Sequence, residues 1–430
     1  MTKVFIAEQE TLLEVQKQVD KLTNNLLPLD KPIYAMVIHE ASDLNPNSRV
    51  EYLGANKNFT PMSMNMSTHA MNYGSWADWS WLKANVPVMC NFDGGIDYYL
   101  NPNDYTKKAD GTDSDVSNVD YAGDAMSVIQ KIYKKEYKVG NDRYVFFCER
   151  KVDEDFKAVG FNVLGKERDY MLIPMFYGSI DANGKMRSIA GQWSCLTASG
   201  NASDNTTGTA IGTAEQYAAI QKASKNGLFF GGALVNTLAD ICVLLSKSTN
   251  SQAAFGYGMC STYVEDKAQH YGTQINTVVG GGQFYGSSDQ KSFNKIFHSC
   301  VMGSYMLWQR DPYMLLKNGR ILVSPDYTYD LTGATYLDTG VDLAANGYYA
   351  TTRVIEDFGS VPTDELVCSS ATGYCDHTWV NATILAVSLR FGGCYCGLCD
   401  GLFARALAYV AAYAWWVSAA SKLLPAPAAA

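Results

Sequence analysis

Residues 391–425, FGGCYCGLCDGLFARALAYVAAYAWWVSAASKLLP, limit what this chain can fold into more than any other stretch. Cys394, Cys396 and Cys399 crowd together. A run of Ala, Tyr, Val and Trp follows, with Arg405 as its one charge before Lys422. Three readings compete. A zinc knuckle wants four soft ligands in tetrahedral geometry. CxCxxC offers three, with Cys375 or His377 available as a fourth, but the usual paired CxxC is missing. A membrane helix wants about 20 apolar residues. The uncharged part here, 406–420, is shorter than that and rich in weakly apolar Ala. A buried hairpin or strand pair with Tyr and Trp in the core is the third. No metal, cofactor or membrane insertion is expected.

The 430 residues suffice for two or three domains, and 47% hydrophobic content supports a sizeable core. Tyr is abundant, at 28, against 34 Lys and Arg together. Tyr offers large contact area at low entropic cost, and recognition surfaces favour it. A formal charge of −9 leaves no basic face for phosphates, so nucleic acid is not expected as a partner. Eleven cysteines, an odd number without paired spacing, fit buried thiols in a reduced compartment better than a disulfide scaffold. The start, MTKVFIAEQETLLEV, has no apolar signal core, so no secretory signal is expected.

Along the chain, Phe5, Leu12, Val15, Val19, Leu22 and Leu26 form an a/d heptad seam ended by Pro28 and Pro32. Such a helix is marginal alone, so it either docks on its own domain or forms a short coiled coil that makes a trimer or dimer. The expected organisation is a coiled-coil helix over 1–30, a β-rich domain over 31–120, and a third domain over 121–430, α+β in class. Met62, Met64, Met66 and Met71 with Trp76, Trp79 and Trp81 read as core. Residues 101–120 read as an exposed loop. Their carboxylates Asp110, Asp113 and Asp115 lack the Gly and terminal Glu of a calcium loop. Asn183-Gly184 predicts a two-residue hairpin, and 197–213 a polar loop. Helices are expected over 214–225 and 234–246, the second apolar nearly all round and therefore buried. Strands are expected over 301–308, 321–323, 348–354 and 382–389.

The sequence carries no HExxH or GxSxG, and its five histidines are scattered. Cys375 and His377 sit two apart with no visible third group to orient them, so no nucleophilic site and no enzyme activity are expected.

A frame underlies the odd terminal residues: Gly392-Gly393, Gly397, Gly401-Leu402-Phe403-Ala404, Leu407 and Ala419-Ala420-Ser421. This frame resembles the variable region of diversity-generating retroelement proteins, with mixed residues between fixed ones. There, AAC codons are scrambled to NNC, which encodes Cys, Tyr, Asp, Ala and Val but never Trp, Met, Lys, Glu or Gln. The residues at matching positions are Cys394, Tyr395, Cys396, Cys399, Asp400, Ala406, Ala408, Tyr409, Tyr413 and Val417, and all are NNC-compatible. Trp415 counts with the face but departs from the pattern, as does Trp416, because neither arises from AAC. The middle of the chain, including Met175-Phe-Tyr-Gly-Ser, resembles phage tropism determinants more loosely.

The resemblance implies a C-type lectin fold of the formylglycine-generating-enzyme subtype at the C-terminus, with the variable region at 391–425. That ancestry carries no activity over, since no catalytic cysteine pair can be placed. It implies a receptor-binding protein at a phage or prophage tail-fibre tip, made in the bacterial cytoplasm and carried on the virion. Its expected partners are a host-surface protein or glycan, further copies of itself as a homotrimer or dimer, and other tail proteins. A surface-displayed cellular protein of the same retroelement class is the nearest alternative, and a zinc-binding or membrane-anchored structural protein a third. Diversified side chains must be exposed and contribute little to the core. Multivalent display then multiplies weak single contacts.

Overall fold

The computed structural model describes residues 31–40, 44–192, 194, 211–262, 280–344, 347–363, 369, 371–414 and 418–427. The heptad helix expected over 5–26, nearly all of the loop expected over 197–213, and positions 415–417 lie outside these residues.

The chain is α+β, mostly strand with few helices. A four-stranded antiparallel sheet runs in the order Val50–Gly54, Tyr34–His39, Asp142–Cys148, Tyr133–Val139. A seven-stranded sheet runs Leu228–Phe229, Lys422–Pro425, Tyr170–Pro174, Gly123–Gln130, Pro87–Asn91, Ile96–Asn101, Asp104–Lys108. Both sheets join strands from either side of residue 120: Tyr34–His39 pairs with Asp142–Cys148, and Pro87–Asn91 with Gly123–Gln130. The expected boundary at 120/121 therefore does not separate two sheets. One apolar cluster extends from Tyr34 through the buried helix to Leu423.

The third sheet carries the C-terminal stretch. Its order is Leu337–Asp342, Arg320–Val323, Trp308–Lys317, Leu385–Arg390, Arg405–Leu407, His377–Val380, Tyr348–Tyr349. Ser418–Ala419 adds in parallel against Trp308 and Gln309.

The helix Gly232–Ser246 is the centre of the molecule, and every residue from Gly232 to Leu245 is buried. A helix apolar all round has no solvent face, so its few polar side chains must find partners inside. Thr237 donates to the Val159 carbonyl, and Asn236 to that of Phe358. Asp240 accepts from Lys134 and Arg143, each at 2.6 Å. Glu136 contacts the same two cations at 2.6 Å. Burial opposes ionisation of Asp240, but the Arg143 and Lys134 charges outweigh it and hold the carboxyl below its usual range. Arg143 also donates to the Tyr374 hydroxyl, which donates in turn to Glu40. The first sheet is thus tied to the helix through buried charge, and to Tyr374, ahead of the strand His377–Val380, through buried hydrogen bonds.

Several expectations meet the structure with a shift. Trp76, Trp79, Trp81 and Met62 are core, and Met64 and Met71 pack against it. Residues 101–120 are not all loop: Asp104–Lys108 is an edge strand whose Tyr105 is fully buried. Ser179–Ile180 pairs with Met186–Arg187, but the turn is longer than two residues. Asp181 accepts from the backbone of Asn183 and Lys185 at 2.9 Å, and Gly184 sits at φ +72°. Residues 301–308 do not form one strand. A short helix, Cys300–Gly303, precedes a strand that starts at Trp308. This segment is buried throughout, so no alternation of polar and apolar residues distinguishes helix from strand.

Buried Lys295 has no carboxylate partner among the described residues. Lys295 donates to the Tyr105 hydroxyl and the Gly280 carbonyl, with its ammonium 4.6 Å from the Tyr105 ring centroid. Burial pushes its pKa down to about 7.

Candidate binding face

The face grows from a rigid base. Arg390, at the end of its strand, is buried and bonds Asp311, Asn236 and the Gly232 carbonyl. Phe391 and Gly392 then turn the chain at φ +74° and +105°. A Cβ on Gly392 would meet the Asp400 carboxylate, which accepts the Gly393 N–H at 3.1 Å. A Cβ on Gly401 would meet the Asp376 carboxylate, which accepts the Phe403 N–H at 2.8 Å. Burial holds both carboxyls well above their usual range. The loop between is clamped by backbone bonds: Cys394 to Met306 at 3.0 Å, Thr262 to Cys394 at 2.9 Å, and Gly397 to Cys260 at 2.9 Å.

Beyond the loop, Arg405–Leu407 lies between His377–Val380, in parallel, and Leu385–Arg390, antiparallel. Arg405 is buried and donates to Asn236 beside Arg390. Residues 408–414 return toward the helix Thr213–Ala223. There Thr213 donates to the Ala411 carbonyl, and Arg310 to that of Tyr413.

The sequence-derived site residues divide on this base. Tyr395 is 40% exposed, and Cys396, Cys399, Ala408, Tyr409 and Tyr413 are partly exposed. Tyr409 and Tyr413 stack at 4.5 Å between centroids. Three positions run against the expectation of exposure. Cys394 and Asp400 are fully buried and Ala406 is 2% exposed. Cys394 sits under the loop clamp, Asp400 fills the space that Gly392 leaves open, and Ala406 is enclosed by strands on both sides. These three belong to the base. Trp415 and Val417 lie outside the described residues.

The structure adds aromatic groups that the sequence reading did not assign to the face. The Trp308 indole donates to the Tyr395 hydroxyl at 2.8 Å. Trp308 meets Trp379 edge-on at 5.4 Å, Trp379 meets His377 at 4.3 Å, and His377 meets Tyr349 at 5.1 Å. The Tyr349 hydroxyl lies 3.3 Å from the Cys399 sulfur. His377 and Trp379, two apart on one strand, point the same way. That spacing is visible in the sequence, but the parallel pairing that brings them beside residues 405–407 is not.

The chemistry of the thiols is muted. Burial pushes the Cys394 thiol up to about 12, and the Cys396 thiol is raised by burial and then by Asp400. A thiol held protonated is a poor nucleophile at neutral pH. Cys375 faces the carbonyls of Thr372 and Gly373 at 3.9 Å. Among the described residues, no cluster of His, Cys, Asp and Glu is placed to hold a metal ion, and no helix is long and apolar enough to cross a membrane. Residues 402–414 form turns and one short strand.

One property unites the surface of this segment. Every residue from 391 to 414 that is exposed or partly exposed is uncharged, because Asp400 and Arg405 are both buried. Tyr395, Leu398 and Val410 are its most exposed large side chains.

No model of a known protein family matches the chain, and no curated protein matches it.

Proposed function

We propose that the chain is a non-enzymatic receptor-binding protein whose partner docks on residues 395–399 and 408–417, on a C-type lectin fold of the retroelement variable class. The uncharged, aromatic surface over a base of buried carboxylates and arginines carries this reading. Tyr supplies large contact area with few rotatable bonds, and a rigid base loses little entropy on binding. Side chains that contribute nothing to the base are free to vary. In this reading the diversified set is Tyr395, Cys396, Cys399, Ala408, Tyr409, Tyr413 and Val417, and Trp415 stands beside it. Cys394, Asp400 and Ala406 are frame.

The setting proposed is a phage or prophage tail tip, with several copies acting together on a host-surface protein or glycan. The test is genetic. A near-copy of the region encoding 391–425, lying beside a reverse transcriptase gene and differing only at adenines, is the expected finding. Differences at other bases would remove the diversification argument.

A further inference from the structure

A second site lies away from the uncharged face, at the edge of the four-stranded sheet. The strand Tyr133–Val139 is the last in that sheet, and its strand partner is Asp142–Cys148. Lys134 shows which way its other edge points. Its N–H donates to the Lys157 carbonyl at 2.8 Å, and its carbonyl accepts from the Lys157 N–H at 2.9 Å. In an antiparallel strand these outward groups recur at every second residue. The backbone N–H and C=O of Glu136 and Lys138 therefore point the same way, and no hydrogen bond to them forms among the described residues.

Those groups open into a cleft of about 820 Å³. The opposite wall is the strand Thr352–Ile355, which pairs with Gly359–Pro362 and whose Thr352 N–H donates to Glu40. The two walls meet where the Lys138 ammonium donates to the Thr352 carbonyl at 2.8 Å. At its other end the cleft shares Lys157, Val159 and Asp357 with a second groove of about 390 Å³.

We propose that this cleft takes an extended peptide, which adds as a strand to the Lys135–Val139 edge. An unpaired edge in a walled groove supplies main-chain affinity, and the walls supply side-chain selection. The five edge residues span about 17 Å. Wall charges set the chemistry of the peptide. Lys157, Arg353, Glu356 and Asp357 form no ion pair among the described residues, so a peptide carrying both an acidic and a basic side chain is complementary.

The experiment pans a displayed library of random ten-residue peptides against the full chain and resynthesises the enriched sequences. Each is measured on wild type and on Val354→Trp, which fills the cleft from its far wall at a partly exposed position. Each peptide is also N-methylated at alternate amides, in both phases. The expected result is at least tenfold weaker binding to Val354→Trp, and the same loss for one phase of methylation but not the other. Tyr413→Ala, on the uncharged face, should leave this binding unchanged. The proposal is overturned if no peptide is enriched over the support alone, if binding ignores both Val354→Trp and methylation phase, or if every enriched peptide responds to Tyr413→Ala instead.

Discussion

A methyl group on Gly392 would lie 1.6 Å from Oδ1 of Asp400. The two residues are one device: the glycine leaves room, and the carboxyl fills it and caps the Gly393 N–H. Gly392→Ala adds both this clash and a side chain at φ +105°. It should cost about 3 kcal/mol or more of folding stability, read from urea unfolding. A cost below about 1 kcal/mol would mean that the loop base is softer than the geometry implies.

Burial should sort the positions proposed to vary by tolerance. Tyr introduced at Cys399 or Ala408, both partly exposed, should change stability by no more than about 0.5 kcal/mol. Tyr at Cys394 or Ala406 overpacks the base and should cost about 1–3 kcal/mol or prevent folding. Unfolding midpoints of the four variants decide the matter. Equal tolerance at all four would return Cys394 and Ala406 to the face.

Charge is absent from the exposed part of residues 391–414. Leu398→Asp places one there, at a side chain 50% exposed. Stability should hold within about 0.5 kcal/mol, while retention on cells that bind the wild-type chain should fall at least tenfold, about 1.4 kcal/mol. Unchanged retention would locate the docking surface elsewhere.

The buried network under the central helix should be sensitive to loss of one partner. Asp240→Ala leaves Lys134 and Arg143 with Glu136 as their remaining carboxylate. Removal of one member of a buried pair costs about 3–5 kcal/mol, because the other is left charged inside. Chemical denaturation measures it. A small effect would show that water reaches the site.

Lys295 gives the chain a pH dependence of known sign. The unfolded side chain keeps its proton up to about pH 10.4, while the folded one releases it near 7. Between those values unfolding takes up a proton, so this residue makes stability rise with pH, by up to about 1.4 kcal/mol per unit. Below pH 7 its full penalty applies. The difference in stability between wild type and Lys295→Met should therefore shrink from pH 7 to pH 10, followed by urea unfolding. A constant difference would show that the folded lysine keeps its proton across that range.

Local pattern made part of this molecule legible. The apolar run at 234–246 is too long for a buried strand and reads as a helix, and the structure extends it by two residues to Gly232. The glycine frame of 392–401 is readable because glycine is needed wherever the backbone turns left-handed or passes close to another group. The division of the positions proposed to vary was not readable. Asp400 and Ala406 are hidden by Gly392 and by strands drawn from 377–380 and 385–390. Burial of a side chain depends on those distant partners, and spacing along the chain carries no trace of them. The aromatic row from Tyr349 to Tyr395 was missed for the same reason.

The strand Lys422–Pro425 lies between Tyr170–Pro174 and Leu228–Phe229, with the Lys422 ammonium on buried Asp124. During synthesis the ribosome makes this strand after the whole of 391–414. The seven-stranded sheet cannot close until it emerges. A copy truncated within 391–414 would lack this strand, leaving Leu228–Phe229 without its partner and Tyr170–Pro174 as an open edge of the sheet. Completion of the sheet therefore depends on an intact reading frame through 391–414.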